Sequence, residues 1–235
     1  MREKPFTQSD LRLFASCGLT EGQIRSQLET LKSGIPYVNI QRPCTIGNGI
    51  TSIDPSVIAV LTTKYTEAAS AGRMMKFVPA SGAASRMFQE IVGTNDKDDL
   101  QSLKHLYAHQ PKALFPFHRY TNHSRTPLDE HLVEAAEYTR DARDVASIHF
   151  TVSPDHADLI SSYVTDVKSR HEQDGVTFDV SYSHQKPSTA TIATDENDQP
   201  FRDNAGTLVL RQSGHGALIG NLSDLTSDIV FIKNI

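Results

Sequence analysis

The hydrophobic period changes near residue 74, and that change constrains the fold more than any other feature of the chain. Met75-Lys76-Phe77-Val78 is a short apolar run of strand length. Pro79-Ala80-Ser81-Gly82-Ala83-Ala84-Ser85-Arg86 follows as a turn of small residues, and Met87 to Val92 then carries an apolar stripe at helical spacing. A strand leading through a tight turn into a helix is the opening of a parallel crossover unit. The alternation continues. Thr126 and Pro127, with Asp129 one turn on, start a helix through Tyr138, Ala146 to Val152 reads as a strand, and Ser153-Pro154-Asp155 caps a helix to about Gln173. Val176 to Ser183 and Thr189 to Ala193 are further strands, Thr207 to Leu210 is extended, Gly214 to Leu222 is a loop entering a short helix, and Ile229 to Ile232 is a last apolar strand. The pattern predicts an α/β fold, an open, mostly parallel sheet with helices on both faces.

Before residue 73 the chain reads as a helical lead-in. Thr7 or Ser9 caps a first helix that Gly18 ends. Thr20 with Gln23 forms a capping box for a second, in which Ile24, Leu28 and Leu31 recur at helical spacing before Gly34. Asp54 and Pro55 open a third that closes at Gly72. The expected division is therefore 1–72 as lead-in and 73–235 as an α/β domain.

Composition narrows the function classes. No apolar run among the 235 residues approaches the length of a membrane span. The start Met1-Arg2-Glu3-Lys4-Pro5-Phe6 lacks the apolar stretch of a secretory signal, which points to the cytoplasm. Cys17 and Cys44 have neither a metal-ligand spacing nor a disulfide framework. With 23 Lys and Arg against 28 Asp and Glu, the net charge of −5 argues against nucleic acid as a partner. A nucleotide needs only a few backbone amides and one or two cations, and remains compatible.

The turn after Val78 is the leading candidate for that role. Small side chains let backbone amides approach an anion at a helix N-terminus, and Arg86 adds a fixed cation. By itself such a loop of small residues is more often a tight turn than a phosphate site. It lacks the Lys followed by Ser or Thr of a P-loop, and no Gly-x-Ser-x-Gly elbow is present. Residues 80 to 87 resemble the Ala-Gly-Gly-Leu-Gly-Thr-Arg-Met signature of nucleotide-sugar pyrophosphorylases: Gly82, Ser85, Arg86 and Met87 fit, while Ser81 and Ala84 stand where those enzymes have glycine. From the N-terminal helices to Ile235 the chain also resembles an uncharacterised bacterial domain-of-unknown-function family, number 4301. Members of that family are longer, which implies that the chain is truncated at its C-terminal end.

The resemblance implies a Rossmann-like nucleotidyltransferase fold over 73–235 and assigns roles downstream. Pro111-Lys112, displaced by an insert from about Gln89 to Gln110, is similar to the Pro-Lys pair whose lysine meets phosphate. Gln185, after Phe178 to His184, resembles a base-contacting glutamine, and Gly214-His215-Gly216 resembles the turn that packs against base and ribose. Ala80, Ser81, Gly82, Ala83 and Ser85 complete the nucleotide-binding set, with Arg86 and Lys112 as the catalytic cations. The last strand is similar to one that continues into Asp-Asn, so the ligand expected for Mg²⁺ lies beyond Ile235. The implied reaction is attack of a sugar-1-phosphate oxygen on the α-phosphate of a nucleoside triphosphate, UTP favoured, with pyrophosphate leaving. A nucleotide-binding module without catalysis and a metal-dependent hydrolase of a phosphorylated metabolite are the alternatives. His105 and His109 lack a third ligand, His118, His123 and His131 read as surface or capping groups, and Asp96, Asp98 and Asp99 read as a solvated helix start.

Overall fold

The computed structural model describes residues 6–80, 110–172 and 175–235. Its helices are α1 (Gln8–Ser16), α2 (Glu21–Ser33), α3 (Pro55–Ser70), α4 (Pro127–Tyr138), α5 (Ala157–His171) and α6 (Ile219–Ser223). Its strands are β1 (Thr45–Ile46), β2 (Gly49–Ile50), β3 (Met74–Pro79), β4 (His118–Arg119), β5 (Ser124–Arg125), β6 (Val145–Thr151), β7 (Thr177–Ser183), β8 (Thr191–Ile192), β9 (Leu210–Arg211) and β10 (Ile229–Ile232). They form two compact units, Met1–Asp54 with Lys186–Ile219 and Pro55–Gln185 with Gly220–Ile235. Neither unit is contiguous in sequence. The helical lead-in over 1–72 is divided between them, since α3 belongs with the parallel sheet.

In the first unit, Thr7 and Thr20 each close a capping box, with Asp10 and Gln23 respectively. Gly34, at φ 71°, ends α2. The apolar stripe of α2 buries Ile24 and Leu28 in one cluster with Phe14, Leu19, Ile192 and Leu208. The Gln27 side chain then serves β8 as a strand edge would: its amide donates to the Ala190 carbonyl and its oxygen accepts from the Ile192 N–H. Arg202 makes a two-pronged bond to Asp10, at 2.9 and 2.7 Å. The strands expected near Thr189 to Ala193 and Thr207 to Leu210 belong here. They pair antiparallel as β8 and β9 and are no part of the parallel sheet.

The second unit is built on a four-stranded sheet in the order β10-β3-β6-β7, with every neighbouring pair parallel. One face is apolar for a clear reason. Ala146, Ile148, Phe150 and Val152 alternate along β6, and α4 and α5 cover them with Leu128, Leu132 and Ala135 and with Ile160, Val164 and Val167. The i, i+4, i+7 spacing on each helix is what brings those residues onto one side. Each fully buried Leu, Ile or Val contributes about 1.5–3 kcal/mol. Thr126 caps α4 in a reciprocal box with Asp129, Pro127 occupies its first turn, and the buried Asp129 also accepts from the Tyr163 hydroxyl of α5. Ala68 and Ala69 of α3 pack on Met74, with Phe231 beside them, so α3 lies on the same face. Among the described residues, the other face receives α6, through Asn221.

Candidate functional site

The strand order locates the site. From β3 the chain adds β6 and then β7 on one side, and β10 returns to the opposite side of β3. The order therefore reverses between β3 and β10. At such a switch point the connections leaving adjacent parallel strands diverge, and a crevice opens outside their carboxyl ends. The backbone leaving β10 is held there, because the Lys233 N–H donates to the Phe77 carbonyl at 3.1 Å.

A cavity of about 660 Å³ lies beside this edge, lined by Lys112, His118, Glu130, His131, Glu134 and Lys233 together with Phe115, Phe117, Asn234 and Ile235. Its charges interlock. Lys76, in mid-β3, is fully buried and donates to Glu134 Oε2 at 2.7 Å and to the His131 carbonyl at 3.1 Å, with its ammonium 5.2 Å from the Tyr138 ring centroid. The other carboxylate oxygen of Glu134 accepts from Lys233. Burial lowers the Lys76 pKa to about 8 against the opposing pull of Glu134. For Glu134 burial works the other way, but the hydrogen bonds from Lys233 and Lys76 outweigh it and hold the carboxyl at about 2. His131 is buried, and desolvation followed by repulsion from Lys76 lowers it to about 4, so its imidazole is neutral. Its Nδ1 has no hydrogen-bond partner among the described residues.

Glu130 plays a separate part. It accepts from the Tyr120 hydroxyl at 2.7 Å, lies 2.9 Å from His118 Nδ1 and also holds Arg125, which tethers the hairpin of β4 and β5 to α4. With that carboxylate occupied, Glu134 is shared between Lys76 and Lys233, and Lys112 brings a further ammonium to the cavity wall. The balance favours an anion.

The expected site residues are distributed unevenly. Lys112 opens a short 3₁₀ turn and reaches the switch point, where its Nζ donates to the Ile235 carbonyl at 2.8 Å. Ala80 is buried, and its N–H donates to the Thr151 carbonyl at 2.8 Å as an extension of the sheet. That amide is therefore committed to the fold and does not serve an anion, a correction to the amide set that began at residue 80. Ser81, Gly82, Ala83, Ser85 and Arg86 lie outside the described residues, as do Asp96, Asp98, Asp99, His105 and His109. Gln185 is buried just past β7. Gly214, His215 and Gly216 are exposed residues of the other unit, so the expected nucleotide-binding set does not fall within one unit. Neither glycine has a left-handed backbone, and a Cβ on either meets nothing within 4 Å. His118 and His123 are exposed, as read, whereas His131 is a buried cavity residue and neither a surface group nor a cap.

Sequence reasoning did not single out Lys76, Glu134 or Lys233. A lysine inside the apolar run Met74–Pro79 was the available signal, because a charged residue in a doubly covered strand requires a buried counter-charge. The described residues contain no group of three or more His, Cys, Asp or Glu suited to a metal ion. The cavity carboxylates do not fit a divalent cation either, since Glu134 is engaged by two lysines and Glu130 by Tyr120, His118 and Arg125. Cys17 and Cys44 are free thiols. No described helix is long and apolar enough to cross a membrane.

Taken together, the molecule is an α/β protein whose parallel sheet presents its carboxyl edge to a largely apolar cavity that holds Lys112, Lys233 and Glu134 in its wall. A family model described as Domain of unknown function (DUF4301) matches residues 7–105 and 100–235, and the chain belongs to that family. No curated protein matches the chain.

Proposed function

We propose that the protein is a nucleotidyltransferase that joins a nucleoside triphosphate, UTP favoured, to a sugar-1-phosphate and releases pyrophosphate. The observation that carries this reading is the position of Lys112, beside Lys233 in a cavity at the switch point of a parallel sheet. Phosphoryl and nucleotidyl transfer need little covalent chemistry from the protein, which supplies orientation and positive charge. Lys112 and Lys233 are suited to neutralise phosphate oxygens, and Glu134 keeps Lys233 extended toward them. Arg86 and the amides of residues 81 to 83 are the remaining phosphate contacts in this proposal, with Mg²⁺ held by a ligand that the resemblance puts beyond Ile235.

One observation favours a second reading, a nucleotide-binding module without turnover: the cavity carboxylates are all engaged by protein cations and donors. Calorimetry of the full-length protein with UTP and the other triphosphates, paired with pyrophosphate release from a panel of sugar-1-phosphates, separates the two. Saturable heat with pyrophosphate release is the expected result, and Lys112→Met should lower turnover at least tenfold. Heat without release favours the module. Release of orthophosphate without an added sugar points instead to a hydrolase, and no heat from any triphosphate removes both nucleotide readings.

A further inference from the structure

A sugar-1-phosphate oxygen attacks already ionised, so nucleotidyl transfer has no use for a base, yet the hairpin of β4 and β5 brings one to the cavity. The hairpin closes on its own backbone, with the Phe117 N–H donating to the Arg125 carbonyl at 2.7 Å and the Tyr120 N–H to the His123 carbonyl at 2.8 Å. His118 pairs with Arg125 across it and reaches α4, where its Nδ1 lies 2.9 Å from Glu130 Oε1. Burial would raise the Glu130 carboxyl, but hydrogen bonds from Tyr120, His118 and Arg125 outweigh it and keep the group ionised. A carboxylate only accepts. Nδ1 therefore carries the ring proton, and in the neutral imidazole the free lone pair falls to Nε2. Among the described residues Nε2 has no hydrogen-bond partner. The ring is held as well as oriented: Phe117 packs on it with centroids 4.3 Å apart, and Tyr120 meets it edge-on at 6.4 Å.

An imidazole whose tautomer is fixed by a carboxylate, with its other nitrogen free, is the arrangement that activates water or a hydroxyl. Both His118 and Glu130 line the cavity of about 660 Å³, and the His118 side chain is 55% exposed, so water reaches it. The rest of the wall decides the substrate. Phe115, Pro116, Phe117, Pro127 and Ile235 are apolar. Lys112 gives one of its three N–H groups to the Ile235 carbonyl and keeps two. The matching substrate has an apolar body and a centre that becomes negative only when water adds to it. A carboxylic ester meets both demands, because its carbonyl is neutral before attack and an oxyanion after it. A phosphate monoester suits the lysines but leaves the apolar wall without a partner.

We propose that His118, positioned by Glu130, is the general base of a site that hydrolyses carboxylic esters of an apolar acid. Nε2 takes a proton from water as the water oxygen bonds to the acyl carbon, and the carbonyl electron pair moves onto its oxygen, where the remaining N–H groups of Lys112 stabilise the charge. That pair then returns, the bond to the leaving alcohol oxygen breaks, and Nε2–H gives that oxygen its proton. One ester and one water become one acid and one alcohol, and His118 ends neutral. Glu130 takes no proton; it holds the ring and stabilises the imidazolium. The proposal does not depend on nucleotidyl transfer. Its probe carries no nucleotide and releases no pyrophosphate, so the failure of either reaction is read separately.

The test is hydrolysis of p-nitrophenyl butyrate by the full-length protein, with p-nitrophenyl phosphate beside it, for the wild type, His118→Gln and Glu130→Gln. The wild type should cleave the butyrate with saturation, and His118→Gln should lower kcat about 100-fold with little change in KM or in melting temperature. Glu130→Gln keeps an acceptor but loses the charge, and should lower kcat less than His118→Gln does. Acidification should slow the wild type as the imidazole takes up its proton, and that acid limb should be missing from His118→Gln. The groups facing His118 are Glu130 from α4, Tyr120 beside it and Arg125 from β5, with Lys112, His131, Glu134 and Lys233 along the wall, and that variant leaves all of them in place. Should His118→Gln not fold, the wild type decides alone, through saturable cleavage that is slower in D₂O and lost on acidification. Intact butyrate, cleavage without saturation, cleavage of the phosphate in its place, or a folded His118→Gln protein with wild-type kcat overturns the proposal and leaves the pair as a tether of the hairpin.

Discussion

The two faces of one parallel sheet solve the burial of polar groups in opposite ways. On the face covered by α4, the fully buried Lys76 keeps its charge through Glu134, whose second oxygen engages Lys233. On the far face His149 is buried with no charged partner among the described residues, desolvation lowers its pKa, and it is held by two serine hydroxyls. A charge removed from water requires a counter-charge at once. A neutral polar layer requires only hydrogen bonds, and among the described residues Thr151 Oγ1 and Asn221 Oδ1 have none. The difference teaches that the cavity side is an ionic cluster in which the buried ammonium has its counter-charge, while the far side is a neutral layer of imidazole, hydroxyl and amide groups.

The largest effect that would break this contrast is loss of the apolar layer that supports both faces. Phe150 is fully buried on β6 between α4 and α5, and Phe150→Ala should cost about 4 kcal/mol in urea denaturation through the cavity it leaves. A loss near 1 kcal/mol would mean that the sheet face is loosely packed. Next comes the ionic cluster. Glu134→Leu strands Lys76 as an uncompensated buried charge and should cost about 3 kcal/mol, most of it recovered when Lys76→Met is added, because an apolar pair replaces a salt bridge with little loss. Two losses that simply add would show that Lys76 and Glu134 are not energetically coupled.

Titration sharpens the comparison further. The folded pKa of His131 is lowered to about 4, so as pH falls below 6.5 the unfolded chain takes up its proton first. The stability that a neutral His131 contributes is thus complete above pH 6.5 and is lost as pH falls toward 4. Denaturation midpoints measured from pH 7 to 4 should decline in the wild type and decline less in His131→Leu. His149 should add to the decline with the same sign, and identical slopes in wild type and variant would contradict the neutral assignment of His131. The smallest effect concerns α4 alone: Thr126→Ala removes a side-chain cap and should cost about 1 kcal/mol in urea denaturation.

Much of the architecture was legible because it rests on local rules. Thr20 closes the capping box expected with Gln23, and Thr7 and Thr126, read from sequence as helix starts, close boxes with Asp10 and Asp129. Gly72, at φ 68°, follows α3 because a left-handed residue there disfavours any side chain. Lys112, picked out by the resemblance of its Pro-Lys pair, lies in the cavity wall. His131 was not, since adjacent histidines in one short stretch look alike until burial separates them: His118 is exposed and His131 is nearly closed off. The polar far face was also hidden, because Ser181 and Ser183 alternate with half-buried or exposed neighbours as any half-solvated strand would.

The sequence by itself determined where the longer helices start and where the four strands of the parallel sheet lie, since capping, glycine conformation and side-chain period act over three or four residues; the two-residue strands β1, β2, β4 and β5 carry no such local pattern. Tertiary structure alone decided that β10 returns beside β3, that residues 186–219 join the N-terminal helices, and that Lys76 meets Glu134. These are pairings across tens to hundreds of residues, chosen by which surfaces bury one another, and no local pattern encodes the partner.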